Sequence, residues 1–286
     1  VAGTADPKTT TRDELAQLMV GRDVDLVVDK DPAKPGEVVL SLQDVHILDD
    51  RFGMAVKGVS LDVHAGEIVA IAGVQGNGQT ELVEAIVGLR TIDCGTITIS
   101  GENVNKASPR HVADLGVAHI PEDRMRDGLI AGMTVEENYI LNSYHRAPYS
   151  SGGRLDRKAI ATKAAQGVQD FDIRTPSIDT MAGSLSGGNQ QKVVVAREFS
   201  RPLKLVVASQ PTRGLDVGSI EYIHGQIVAQ RDDAGAAVVI VSTELDEVLA
   251  VGDRIAVMFG GRIVGILEGA DATREAVGML MGGGHS

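Results

Sequence analysis

The sequence predicts an α/β fold: a mainly parallel β-sheet with helices on both faces, an antiparallel β segment near its front and a helical insertion. Three observations predict it. Apolar runs at residues 67–74, 203–208 and 236–242 are short and continuous, as strands buried on both faces are. Helical patterns at 80–88, 220–233 and 244–251 alternate with them, which is the order of a sheet covered on both sides. A glycine-rich turn joins the first run to its helix.

Taken in order, residues 11–20 read as a short helix with Leu15, Leu18 and Met19 on one side. Residues 29–36 are charged, Pro-rich and without apolar periodicity and read as a linker; together with the resemblance between the two ends set out below, 1–36 is expected to be a tail of a preceding domain plus that linker. The main domain, 37–286, opens with strands at 38–42 and 56–63. The strand at 67–74, the glycine turn and the helix follow, then a strand at 96–100. Residues 124–200 are expected to form a mostly helical subdomain. A final strand reads at 254–259.

Composition narrows the function classes. The chain has 286 residues, enough for one large domain or two small ones, with 43% hydrophobic and 23% charged residues, a soluble globular balance. Its net charge of −12 argues against nucleic acid or an acidic lipid surface as a partner, because either needs a basic stripe. With no Trp, four Tyr and four Phe, platforms for base stacking are scarce. No apolar run approaches the ~18 residues of a membrane helix, so work at a membrane would need another chain to span it. The single Cys94 has no disulfide partner and fits a reduced, cytosolic setting. No secretory signal opens the sequence, and Val1 in place of Met suggests processing or a fragment.

The two ends resemble one another. At an offset of 262 positions, Gly3, Thr11, Arg12, Leu18, Met19 and Gly21 meet Gly265, Thr273, Arg274, Leu280, Met281 and Gly283 without a gap. A tandem protein, with residues 1–22 ending a preceding copy, is the reading this suggests.

The glycine turn is Gly73-Val74-Gln75-Gly76-Asn77-Gly78-Gln79-Thr80. Glycines let the backbone curl until its N–H groups converge on an anion, and the helix N-terminus behind adds partial positive charge. Thr80 can offer a hydroxyl to magnesium. Position 79 is where a phosphate loop carries Lys; Gln79 brings no charge, so nucleotide is expected to bind weakly.

Leu185-Ser186-Gly187-Gly188-Asn189-Gln190-Gln191-Lys192 heads a predicted helix, and an apolar strand then runs into Ser209-Gln210-Pro211-Thr212-Arg213-Gly214-Leu215-Asp216. Over residues 38–269 the chain resembles the ABC ATPase family, a P-loop NTPase fold with a helical subdomain. The 185–192 segment is similar to its signature motif, and the strand with 211–216 to its Walker B strand and D-loop. The resemblance implies ATP and Mg²⁺ as cofactors and a head-to-tail pair of domains, in which the phosphate loop of one faces the signature of the other.

The same resemblance marks what is missing. Where the family ends its Walker B strand in Asp-Glu, this chain has Ser209 and Gln210. The switch His corresponds to Thr243, and the Q-loop Gln is absent from the segment 120–128. Gln210 takes no proton at useful pH, and phosphoryl transfer depends on positioned charge. The expectation is a silent site of its own, with Leu185 to Gln190 completing a partner's site and Gly214, Leu215 and Asp216 forming the D-loop between them.

The glycine loop, the 121–129 segment and the signature together are similar to the second domain of importers for simple sugars and nucleosides. That resemblance implies a second nucleotide-binding domain upstream in the same polypeptide, membrane permease subunits, an indirect extracellular solute-binding protein, and a place at the cytoplasmic face of the cell membrane. Segment 122–128 is a solvated loop by composition and a permease-facing loop by resemblance. Phe52 is a candidate to stack on adenine, with a plain core position as the alternative. Two other readings stand beside this one: a soluble, non-transport ATPase, and a structural module that binds no nucleotide.

Overall fold

The computed structural model describes Val28 and residues 30–284. The helix expected at 11–20, and with it the first half of the terminal resemblance, lies outside the described residues.

Three strands form the centre of the main sheet: β3 (Ile68–Ala72), β9 (Leu205–Ser209) and β10 (Ala237–Ser242). Every residue in them is buried, which is why they read as continuous apolar runs rather than alternating ones. Two more strands complete the parallel part: β6 (Val117–Ile120), paired with β9, and β11 (Arg254–Phe259), paired with β3. Strand β12 (Arg262–Glu268) closes the edge antiparallel to β11, giving the order β12-β11-β3-β10-β9-β6.

A four-stranded antiparallel sheet lies at the front, ordered β2-β1-β4-β5: β1 (Val38–Leu48), β2 (Met54–His64), β4 (Cys94–Ile99) and β5 (Glu102–Asn103). Strands β1 and β2 are longer than the expected 38–42 and 56–63. Their outer ends keep one face wet, and a bulge near Asp44 (φ 47°) breaks the alternation on which a sequence reading depends.

Helix α1 (Gln79–Ile86) packs between the two sheets. Leu82, Val83, Ala85 and Ile86 bury there beside Leu42, Val59 and Val239, each large side chain contributing about 1.5–3 kcal/mol relative to exposure. The short α2 (Pro109–Asp114) leads into β6, capped by Ser108. The opposite face of the main sheet is covered by α5 (Gly187–Phe199) and α6 (Val217–Asp232), through Val195, Phe199, Ile223 and Ile227. Helices α7 (Leu245–Val251) and α8 (Arg274–Met281) cover the β11–β12 end through Val248 and Val277.

The insertion at 124–200 is less helical than expected. It holds a π turn (Arg124–Gly128), α3 (Val135–Tyr139), a small hairpin of β7 (Ser150–Ser151) and β8 (Arg154–Leu155), α4 (Arg157–Asp170) and then α5. Irregular chain with Pro176, ending in a 3₁₀ turn (Ala182–Ser184), separates α4 from α5, and Pro176 and Gly183 carry turn chemistry rather than helix propensity. The helices still share their own core of Val135, Tyr139, Ile160, Val193 and Val194.

Residues 30–36 have no regular secondary structure, as a linker would, yet they are docked. Lys30 Nζ bonds the carbonyls of Val251 and Gly252 and the carboxylate of Asp253 at 2.8–2.9 Å. The buried Arg231 donates to Asp31 O, and Gly36 N–H to Ala65 O. Among the described residues no helix is long and apolar enough to cross a membrane.

Candidate functional site

In an open parallel sheet, ligands bind where the strands deliver their carboxyl ends. Four strands do so here. Strand β3 leads into Gly73, β6 into Pro121, β9 into Gln210 and β10 into Thr243. These ends and the first turns of α1 enclose a cavity of about 720 Å³, lined by Gln75, Gly76, Gln79, Thr80, Ser209, Gln210 and Thr243 among others.

The loop from Gly73 to Thr80 curls as its glycines require. Gly76 and Gly78 adopt φ of 90° and 96°, and a Cβ at Gly78 would collide with the carbonyl oxygen of Ala55. Asn77 ties the curl down, its side chain donating to Val74 O at 2.9 Å and accepting from Gly260 N–H at 2.7 Å. Gly78 is the N-cap of α1 with no side-chain cap, so the helix end turns its own N–H groups toward an anion. Val74, Gln75, Gly76 and Thr80 are exposed.

Gln79 is not exposed. It is 6% accessible and folds back across the loop. Its Oε1 accepts from Asn77 N–H at 3.1 Å, and its Nε2 donates to Val74 O at 3.2 Å. The side chain therefore sits in the concavity of the loop as a neutral internal partner, where a Lys would hold a positive charge.

Ser209 and Gln210 are both buried at the end of β9. Gln210 takes φ 46°, held there by its N–H donating to Val241 O at 2.7 Å. Its Nε2 donates to Thr243 Oγ1 at 3.2 Å, and its Oε1 accepts from Thr243 N–H at 3.4 Å. The two positions that the resemblance assigns to the catalytic Glu and the switch His are brought together, as a neutral pair.

The segment 122–128, a solvated or permease-facing loop from sequence, puts Glu122, Asp123, Arg126 and Asp127 on the cavity wall, although no role there was assigned to Glu122 itself. Glu122 follows β6, accepts from Gln75 Nε2 at 3.2 Å and pairs with Arg213 at 2.5 Å. It thus joins the phosphate loop to the segment after β9. A four-residue strand between Gly116 and Pro121 is too short to announce itself, so the position of Glu122 at a strand end was hidden. His119, on β6, also lines the cavity, and burial pushes its imidazole below the ordinary value.

The segment Leu185 to Gln190 stands apart; none of its residues lines the cavity. Ser186 is exposed and caps α5, accepting from Asn189 Nδ2 at 2.9 Å and Asn189 N–H at 3.4 Å. Asn189 Oδ1 in turn accepts from Arg174 N–H, Leu185 packs on the insertion's core, and buried Gln190 faces the carbonyls of Ala182 and Gly183. Gly187 lies under the guanidinium of Arg124, and Gly188 against Ser219. Gly214 takes φ 69° beside half-buried Leu215, and Asp216 caps α6 through Ser219 N–H at 3.0 Å. Burial opposes ionisation of Asp216, but the hydrogen bonds from Ser219 outweigh it and hold the carboxyl below its ordinary range. Phe52 is 85% exposed in the β1–β2 turn, which excludes a core role.

Behind this wall lies a buried polar cluster. Glu247 Oε1 accepts from Thr212 Oγ1 at 2.6 Å and meets His224 Nε2 at 2.9 Å. The cluster fastens the start of the 212–216 loop to α6 and α7.

Comparison with known proteins agrees with this architecture. Over 275 residues the chain is 49% identical to the nucleoside import ATP-binding protein NupA of Lactococcus lactis, covering 96% of this chain and 54% of that protein. It is 46% identical to the guanosine import ATP-binding protein NupO of Bacillus subtilis (98% and 55% covered), and 44% identical to the glucose import ATP-binding protein TsgD13 of Haloferax volcanii (99% and 52%). The chain thus spans about half the length of these relatives. Its fold matches a nucleotide-free ATP-binding cassette from an ABC transporter with a TM-score of 0.72 at 23% identity, covering 85% of this chain and 96% of that one. The dimeric cassette MJ0796 matches with a TM-score of 0.68 at 22% identity (80% and 98%). The ABC transporter family profile itself matches residues 56–213, over half of the sequence, and the chain belongs to that family.

Proposed function

We propose that this chain is a nucleotide-binding domain of an importer for a nucleoside or simple sugar, and that its own phosphate site does not hydrolyse ATP. The relatives' names support the transport class. The observation that carries the silent site is the Gln210–Thr243 pair. An attacking water needs a proton acceptor and a developing phosphate charge needs cations, and this pair provides neither.

The family in general uses ATP with Mg²⁺; here both are expected to bind weakly. Gln79 is neutral, and Thr80 and Ser209 are the hydroxyls left for a metal. The exposed Ser186 and the N-terminus of α5 take no part in lining the domain's own cavity, which leaves them to complete a site on another domain. That partner is proposed to be a second nucleotide-binding domain in the preceding half of the same polypeptide, consistent with relatives about twice as long. Residues 1–36 would join the two, although 30–36 lie against this domain. Permease subunits would carry the solute, an extracellular binding protein would deliver it, and this chain would sit at the cytoplasmic face of the membrane.

Phosphate release from MgATP by this chain alone, at high protein concentration, tests the silent site; the expected rate is background. In the paired protein, Ser186→Ala is expected to reduce turnover. Unchanged turnover there would remove the partner role.

One observation favours a second reading. Gln79 already satisfies Asn77 N–H inside the loop, as expected of a module that binds no nucleotide. A nucleotide titration on the same chain separates the two.

A further inference from the structure

Magnesium is the ion that the family's chemistry implies beside a nucleotide, and the donor set of this cavity does not fit it. Magnesium sites are built on one or two carboxylates together with phosphate and water oxygens. Strand β9 ends in a hydroxyl and an amide, Ser209 and Gln210, and Thr80 adds one more hydroxyl. Glu122 reaches the loop, but its Oε1 is taken by Gln75 and Arg213. Among the described residues, no group of three or more His, Cys, Asp or Glu is placed to hold a metal.

Phosphates still need countercharge, and two cations line the same cavity, Arg126 and Arg213. The four carboxylates that line it are already engaged. Glu122 pairs with Arg213, and Glu84 with Arg90 at 2.7 Å. Asp123 accepts from the N–H groups of Met125 and Arg126, and Asp127 lies 3.8 Å from Arg126. The lining thus sets four carboxylates against two guanidinium groups, and each carboxylate has a partner of its own that holds it. The side chain of Arg213 is 60% exposed and spends Nη1 on Glu122, while its planar fork has further N–H donors suited to phosphate oxygens.

We infer that this cavity takes its nucleotide free of magnesium, with the phosphate charge met by Arg213 and Arg126 in place of a lysine and a metal ion. The inference rests on the nucleotide-binding reading above. Phosphate oxygens compete with Glu122 for the Arg213 guanidinium, and the open N-terminus of α1 supplies the remaining attraction. Magnesium-bound ATP carries two fewer negative charges and gains less from the arginines than free ATP does.

Calorimetric titration of the chain with ATP and with AMP, in EDTA and in millimolar magnesium, tests this. The expected result is ATP binding in EDTA at least as tight as in magnesium. Arg213→Ala should cut the preference for ATP over AMP by about tenfold or more in EDTA, the weight of a charge-assisted bond. Glu122→Gln should strengthen that preference. Arg213 is exposed, so its substitution leaves the fold intact, which circular dichroism checks. ATP binding that requires magnesium overturns the inference while nucleotide binding stands, as does an unchanged ATP preference in the Arg126→Ala, Arg213→Ala double variant. No ATP binding by the unsubstituted chain in either buffer removes the nucleotide-binding reading and the inference with it.

Discussion

Gln210 donates its side-chain amide to the hydroxyl of Thr243 at 3.2 Å, joining the carboxyl ends of β9 and β10 across the floor of the cavity. Gln210 also holds a left-handed backbone (φ 46°), a conformation that costs a non-glycine residue about 1–3 kcal/mol. The strained backbone thus stands at the cavity floor with both side chains neutral.

Restoring single groups is therefore expected to fail. Gln210→Glu, or Gln210→Glu with Thr243→His, should leave phosphate release at background. The new carboxylate could orient water, but Ser209 still gives a neutral hydroxyl where a carboxylate would anchor a metal and Gln79 gives no cation, and the barrier depends on these charges acting together. Turnover with MgATP clearly above background in Gln210→Glu would show that the missing carboxylate alone silences the site, and turnover only in the double variant would assign it to the carboxylate and the His together.

Gln79→Lys is expected to tighten ATP binding by about tenfold or more, since it replaces a neutral occupant of the loop with a charge-assisted donor. It also removes the acceptor now facing Asn77 N–H, freeing that group for phosphate. Equal ATP affinity of the two proteins by calorimetry would mean that the Gln79 amide does not compete with phosphate.

Neighbouring glycines of the 185–190 segment should respond differently. A Cβ at Gly188 meets Ser219, whose Oγ would collide and whose Cβ would lie 3.1 Å away, and Ser219 is pinned by Asp216 at 2.8 Å. Gly188→Ala should cost about 1–3 kcal/mol, as overpacking does. At Gly187 the obstacle is the far end of the long Arg124 side chain, 2.7 Å from the added Cβ, which can swing by rotamer changes at the cost of its 3.0 Å bond to Arg213 O. Gly187→Ala should stay within about 1 kcal/mol of the original, because the helix propensity gained offsets a small side-chain shift. Urea unfolding of the two variants measures the contrast.

What could be read from sequence follows from where each signal lies. Strands β3, β9 and β10 were legible because burial on both faces leaves nothing polar to interrupt them. The helix headed by 185–192 was legible from its local pattern, while the cap that Ser186 makes to Asn189 N–H was not read. Strand β6 was not, being four residues long, and so the role of Glu122 at its end was hidden. The expected helices across 124–200 overcounted, because packing into the Val135–Val194 core selects three helices and leaves the turns between them. Whether Gln79 would point outward or fold inward depends on the curl that brings Val74 and Asn77 within reach of one amide. The docking of Lys30 was least legible, since its partners lie more than 200 positions away.

That docking carries its own prediction. Lys30 places an ammonium on the last carbonyl of α7 and on Asp253, which also binds the buried Arg231 and the N–H of Ile68. A cation at a helix C-terminus with charged hydrogen bonds is worth about 1–2 kcal/mol where partly buried. Lys30→Met should lose that amount in urea unfolding, while Lys34→Met, on an exposed neighbour, should change stability by less than about 0.5 kcal/mol. Equal effects would mean that residues 30–36 behave as a free linker.

Glu247 should impose an acid limit on stability. Burial pushes its carboxyl up, but hydrogen bonds from His224, Ser242 and Thr212 outweigh burial and hold it below the ordinary value of 4.5. A carboxyl with a depressed folded pKa stabilises the fold above its unfolded value, and that stability is lost as pH falls through the folded one. Glu247→Gln keeps the shape and removes the charge. The variant should therefore be less stable than the original chain at neutral pH, and the gap should close as pH falls below 4.5. Urea unfolding followed from neutral pH through the carboxylate range reads this directly. A gap that stays constant with pH would mean that Glu247 holds Thr212 and His224 as a neutral acid, and that the 212–216 loop is fastened by shape rather than by charge.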